Sequence, residues 1–267
     1  MKKEEKSGTT KRIEDKYIIS KDHYLRFKKL ADAFMKHQVY GYNTDYVING
    51  SIYFDTPDLD CLVAHLKGDQ QRHKIRIRTY APEGVPSNER FVEIKRKDGE
   101  NCIKDRIRIG LDAYRNLLEK SELPVDQELI VLNEDDIGEA ETIVKARMLN
   151  EMLKKGKYKP VVEIHYRRES FEADDGFRIT IDQDLKVKPL PDMKNSKVRK
   201  EYEAELDKVD EKYLNYEDFI MEVKHQGELP KWLRKKLKKH FFEPISFSKY
   251  CWAMARTLGN ELRVNES

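Results

Sequence analysis

The chain has 267 residues, 39% of them hydrophobic and 38% charged, and a formal net charge of only +3. That length fits one large α+β domain or two small ones, with less apolar content than the usual ~45–50% and more charge than the usual ~25%. With 52 Lys and Arg against 49 Asp and Glu, a polycation is excluded, so any basic site requires the two signs to be segregated on organised faces.

Residues 1–11 are polar and read as a disordered tail, followed by a single domain over 12–262. Ile13–Ile19 reads as a strand with Glu14, Lys16 and Ile18 on one face. Residues 21–38 place Tyr24, Phe27, Leu30, Ala31 and Phe34 at helical spacing. Val47–Phe54 is a second strand, ended by Asp55-Thr56-Pro57. Thr56 can cap and Pro57 can open a short helix that Gly68 ends. Strands at 73–80 and 90–97 follow, split by a loop with Pro82, Gly84 and Pro86. A turn at 98–101 leads into a strand at 102–109. Leu111–Leu118 and about 138–155 are expected to be helical, the latter ending at Gly156. Strands at 161–171 and 177–184 are joined by the hairpin signal Asp174-Asp175-Gly176, and the Lys-rich stretch 186–200 reads as a loop. Tyr202–Leu206 fits a strand or a helix. Phe219–Lys224 is a further strand, and Pro230–His240 and about 246–258 are helical. The hairpin-like spacing of roughly eight strand candidates favours an antiparallel sheet.

Cys61, Cys102 and Cys251 are scattered and lack CxxC spacing, against a disulfide framework or a thiolate zinc site. No apolar segment follows the charges of residues 1–6, and no apolar run approaches a membrane span, so a soluble cytoplasmic protein is expected. Glycine-rich nucleotide loops are absent. The basic amphipathic segment Lys231–Lys239 fits a solvated helix packed by Trp232 and Leu233, or a membrane-surface or tunnel-mouth element.

The chemistry lies in strict basic/apolar alternation. Lys74, Arg76 and Arg78 share a face opposite Ile75 and Ile77. Glu93, Lys95 and Lys97 oppose Val92 and Ile94. Lys104, Arg106 and Arg108 oppose Ile103, Ile107 and Ile109; Arg178, Thr180 and Asp182 oppose Ile179 and Ile181; Glu222 and Lys224 oppose Met221 and Val223. An ordinary half-solvated sheet shows such alternation too. However, Arg and Lys recur across sequence-distant strands, and directly opposed like charges destabilise a sheet. A polyanion facing them removes that cost. Arg offers a planar fork to phosphate and Lys a point charge. Glu14, Glu93, Asp182 and Glu222 could balance charge, or one or two could hold a hard cation such as Mg²⁺ or Mn²⁺.

Glu14-Asp15-Lys16-Tyr17, Ser51–Thr56, Lys74–Arg78, Glu93-Ile94-Lys95, Tyr166-Arg167-Arg168, Arg178–Asp182, Phe219–Lys224 and Ser248-Lys249-Tyr250 occur in this order. Together the set resembles the polyphosphate polymerase domain of the vacuolar transporter chaperone family, one of the triphosphate tunnel metalloenzymes, over about residues 11–255. The resemblance implies an α+β fold: an antiparallel eight-stranded β-barrel, the triphosphate tunnel, with helices packed outside. It implies transfer of the ATP γ-phosphoryl group to a growing polyphosphate chain with Mn²⁺ or Mg²⁺. Hydrolysis of triphosphates in the same fold and a noncatalytic polyphosphate-binding subunit are the alternatives. By motif, the implied catalytic bases are Lys16, Arg76, Arg78, Lys95, Lys104, Arg106, Arg168, Arg178 and Lys249. Of these, Arg76, Arg78, Arg168, Arg178 and Lys249 bind the triphosphate, and Glu222 is the metal ligand. Lys74 receives no role. Arg12 stands where the wider superfamily has its first N-terminal Glu, which weakens a second metal site at Glu14. The implied partners are ATP and inorganic polyphosphate or triphosphate, without nucleic acid, and a separate membrane partner protein. No counterpart of the eukaryotic membrane helices or phosphate-sensing domain is seen.

Overall fold

A computed structural model describes residues 12–40, 44–82, 85, 87–99, 101–174, 176–190, 218–240 and 242–265. The expected tail at 1–11 and the strand or helix at 202–206 lie outside the described residues, as does the segment 191–200. Among the described residues there are nine strands and seven helices. The strands are β1 (Arg12–Ile19), β2 (Lys36–His37), β3 (Val47–Asp55), β4 (Gln71–Ala81), β5 (Glu89–Asp98), β6 (Asn101–Arg108), β7 (Lys159–Glu172), β8 (Arg178–Pro189) and β9 (Phe219–Gln226). The helices are α1 (Lys21–Phe34), α2 (Asp60–Leu66), α3 (Leu111–Lys120), α4 (Gln127–Ile137), α5 (Glu139–Lys155), α6 (Lys231–Lys239) and α7 (Lys249–Asn265). The hydrogen-bonded order is β1-β9-β8-β7-β3-β4-β5-β6, with the two-residue β2 beside β7. The pairs β1/β9, β8/β9, β3/β4, β4/β5 and β5/β6 are antiparallel, so the expected α+β fold on an eight-stranded antiparallel sheet is present.

The chain forms two compact units. The first takes the described residues within 1–46, 168–184 and 215–247; the second takes those within 47–167, 185–214 and 248–267. In the first, the apolar faces of β1, β7, β8 and β9 supply Tyr17, Ile19, Phe171, Ile179, Ile181, Met221 and Val223. The apolar stripes of α1 (Tyr24, Phe27, Ala31) and α6 (Leu233, Leu237) cover them. Period-2 strands thus meet period-3.6 helices, as the sequence pattern requires. Ser20 caps α1 by accepting from the His23 backbone N–H, which fixes where that helix starts. In the second unit Ile52, Phe54, Ile75, Ile77, Val92, Ile94, Ile107 and Ile109 are buried on the face opposite the charges. Gly50 in β3 permits this closeness: a Cβ there would lie 2.3 Å from Thr79 Oγ1.

Several expectations shift. The short helix starts at Asp60, not Pro57, because Leu59 adopts a left-handed conformation at φ 55° and takes the N-cap position in place of Thr56, whose Oγ1 accepts from the Asp60 N–H at 3.1 Å. β8 continues to Pro189 through residues read as loop. α4 was not foreseen. Ile103, expected inside, is 54% exposed because it sits at the hairpin end of β6, opposite Arg96.

Candidate functional site

Antiparallel register turns the alternating sequences into cross-strand rows. In the second unit, Tyr53, Arg76, Glu93 and Arg106 stand side by side on β3, β4, β5 and β6. The next row toward one end is Lys74, Lys95 and Lys104; toward the other it is Ser51, Arg78, Phe91 and Arg108. Glu93 is buried and organises the first row. Its Oε2 accepts from Arg76 Nε at 2.9 Å and from the adjacent terminal nitrogen at 2.6 Å, while Lys104 Nζ lies 2.7 Å and Arg106 Nε 3.6 Å from Oε1. Burial would raise the Glu93 carboxyl, but the charges of Arg76, Lys104 and Arg78 outweigh it and hold it at about 2. Burial lowers the Lys104 ammonium, and repulsion from Arg76 and Arg106 adds to this against the pull of Glu93.

Tyrosines hold the arginines. Arg76 donates to the Tyr53 hydroxyl at 3.1 Å, and Arg78 donates to Asn49 Oδ1 at 2.8 Å and to the Tyr166 hydroxyl at 3.0 Å. Burial raises the Tyr53 phenol, yet Arg76, Lys74 and Lys249 reverse this and leave it below its ordinary value. Lys249, in the first turn of α7, lies 4.9 Å from the centroid of the Tyr166 ring. The turn is anchored from beneath: the Tyr250 hydroxyl donates to buried Asp55, which also accepts the backbone N–H groups of Thr56, Cys61 and Leu62. Arg106 stacks 3.5 Å from the Phe91 ring centroid. Lys95 is exposed on the same face. Arg78 Nε and Ser51 Oγ are buried without a hydrogen-bond partner.

In the first unit, β1, β9 and β8 align Lys16, Glu222 and Thr180 in one row and Glu14, Lys224 and Arg178 in the next. Arg168 clamps Asp182 through two bonds of 2.5 and 2.7 Å and reaches Glu222 at 3.2 Å. Lys16 donates to the Phe247 carbonyl at 3.0 Å and, like Lys224, lies near Glu14, at 3.3 and 3.4 Å. Burial lowers the Lys224 ammonium, with Arg168 adding and Glu14 and Glu222 opposing. Thr180 Oγ1 and Arg178 Nε are buried and unpartnered.

The predicted residues therefore separate into two groups: Lys16, Arg168, Arg178 and Glu222 in one unit, and Arg76, Arg78, Lys95, Lys104, Arg106 and Lys249 in the other. Tyr53, Tyr166 and Asn49 were missed as site residues, whereas Asp182, read as a charge-balancing carboxylate, pairs with Arg168. Tyr166 was visible in Tyr-x-Arg and Tyr53 in the alternation of β3. Among the described residues no three His, Cys, Asp or Glu side chains converge as a metal cage. A magnesium-like ion on phosphate needs only one or two carboxylates; Glu222 supplies one, with Lys16 and Thr180 as its row partners and Arg168 3.2 Å away.

Residues 11–258 match the VTC domain family. The chain belongs to that family. This VTC domain is 25% identical over 224 residues to vacuolar transporter chaperone complex subunit 4 of Schizosaccharomyces pombe, covering 75% of the chain but only 30% of that protein's length. Among solved structures it is similar to a Bacillus halodurans protein provisionally named an adenylate cyclase. The TM-score is 0.49, with 14% identity and coverage of 89% of this chain and 94% of that one. A provisionally named adenylyl cyclase from Hippeastrum, described as having a dominant triphosphatase activity, gives 0.48 at 12% identity, covering 92% and 96%. No helix among the described residues is long and apolar enough to cross a membrane.

Proposed function

We propose that this VTC domain is a metal-dependent polyphosphate polymerase that transfers the ATP γ-phosphoryl group to the end of an inorganic polyphosphate chain. The observation that carries the reading is the set of like-charged cross-strand rows, above all Lys74, Lys95 and Lys104, beside a row that holds buried donors without a protein partner. Family membership and the similarity to subunit 4 support the same substrate class.

The acceptor's terminal phosphate oxygen attacks the γ-phosphorus, the bond to the β,γ-bridging oxygen breaks, and ADP leaves. No protein nucleophile is required; the protein positions the groups and neutralises charge. Arg76, held square by Glu93 and Tyr53, and Arg78, held by Asn49 and Tyr166, present forks to phosphate oxygens. Lys104, Arg106, Lys95 and Lys249 add charge beside them. In the other unit, Lys16, Arg168 and Arg178 do the same around Glu222, which would hold Mg²⁺ or Mn²⁺ together with phosphate oxygens. The ion supplies neutralisation of triphosphate charge. A cytoplasmic location and a separate membrane partner that receives the product belong to the same proposal, on the similarity to a subunit of a transporter chaperone complex.

Incubation of purified protein with ATP and Mn²⁺ tests this. Long polyphosphate and ADP are expected, and Glu222→Gln should lower turnover at least about 100-fold, the scale on which metal-site changes act. Free phosphate without chain growth refutes polymerisation, and full turnover in Glu222→Gln refutes the metal assignment.

A further inference from the structure

Lys74 is outside the set of bases carried by the motifs, yet register places it directly opposite Lys95, which is directly opposite Lys104. One step beyond Phe54 and Ile75 the register sets Asp55 at the β3 end of that row, where its carboxylate is taken up by the Tyr250 hydroxyl and three backbone N–H groups. Glu93, in the adjacent row, is shared among Arg76, Lys104 and Arg106. The row beyond, Arg72, Lys97 and Cys102, brings further positive charge. Positive charge on this face is therefore densest along the lysines. Lys74 is also fixed in place: its Nζ donates to Ser248 Oγ at 2.8 Å, in the residue before Lys249. The rows differ in kind. Arginine forks suit two oxygens of one phosphate; ammonium groups are compact point charges that favour the most charged phosphate in reach.

We propose that Lys74, Lys95 and Lys104 form a subsite for the terminal phosphate of a linear polyphosphate. This rests on the polyphosphate reading above and adds to it which phosphate the lysine row takes. An end phosphate carries about two charges at neutral pH, with its second ionisation near about 6; an inner phosphate carries about one. Three opposed ammonium groups discriminate in favour of the end. The groups facing the row are Arg72 and Arg76 on β4, Glu93 and Lys97 on β5, Arg106 and Cys102 on β6, Tyr53 and Asp55 on β3, and Ser248 and Lys249 at α7. No histidine is among them, and burial raises the Asp55 carboxyl.

Binding of linear tripolyphosphate and cyclic trimetaphosphate to the full chain tests the subsite, because the ring has no end. The wild type should prefer the linear form, and the preference should grow between pH 5.5 and 7.5. Lys74→Met keeps the side-chain stem and should weaken tripolyphosphate about tenfold, as loss of a charge-assisted bond does, while trimetaphosphate changes little. Lys95→Met, at an exposed side chain, should narrow the preference in the same way and serves if Lys74→Met fails to fold. Unchanged linear-over-cyclic preference in these variants overturns the subsite and leaves the polyphosphate reading standing. Absence of tripolyphosphate binding by the wild type overturns both.

Discussion

Replacing Glu93 with glutamine should destabilise the protein by about 3 kcal/mol, in a pH-dependent way. The carboxyl is 2% exposed and held at about 2, against 4.5 for an unperturbed glutamate. That gap of roughly 2.5 units corresponds to about 3 kcal/mol. The pair geometry gives a compatible figure: breaking a fully buried pair costs on the order of 3–5 kcal/mol, and Arg76, with a side chain 21% exposed, falls at the lower end, less the one hydrogen bond the amide retains. Because the folded pKa is depressed, the stabilisation is fully present above about 4.5 and disappears as pH falls toward about 2. Urea denaturation of both proteins from pH 7 down to 2.5 checks this. The difference should be constant above about pH 5 and shrink steadily below it, with a midpoint temperature loss of roughly 6–12 °C at neutral pH. A difference under about 1 kcal/mol at pH 7, or one indifferent to pH, refutes the assignment of Glu93 as the counter-ion of this face. Tripolyphosphate affinity should move the other way, rising in the variant as the ligand meets cations relieved of their internal anion.

Arg168→Met leaves Asp182 fully buried without its clamp and should cost about 3–5 kcal/mol. Adding Asp182→Asn should recover more than half of that in thermal melts, and additive losses would count against the clamp. Tyr250→Phe removes one of four donors to Asp55 while keeping the stack on Tyr53, whose centroid is 5.0 Å away. The expected cost is about 1–2 kcal/mol, read as a melting-point decrease of roughly 2–8 °C; no shift would mean that the hydroxyl contributes nothing.

The two-faced strands were legible because alternation survives folding: β4, β5 and β6 bury the aliphatic positions read from the sequence, apart from Ile103. α4 was not, because its periodicity is inverted. Val131 is 57% exposed, whereas Asn133 is buried and bonds both backbone groups of Arg108, at 2.8 and 2.9 Å, standing in for a neighbouring strand. A buried amide at a core position erases the apolar stripe on which helix recognition depends. The site shows the same division. Its bases announce themselves by residue type. Tyr53, Tyr166 and Asn49 act through cross-strand geometry, which appears only once register is known. The extension of β8 through Leu185–Pro189 was hidden by lysines at alternate positions, read as loop for their polarity.

Carboxylates set among the bases have a consequence for release. A face of bare cations would bind a polyanion tightly and surrender it slowly, since departure would expose unscreened repulsion. Under the proposed function, Glu93 would receive Arg76 and Lys104 whenever the ligand withdraws, and Arg168 would return to Asp182 and Glu222. Each departing phosphate would be replaced by an anion already on site. Residence time would thereby be shortened without removing a single positive charge, which is the condition a chain must meet if it is to be both held and passed along.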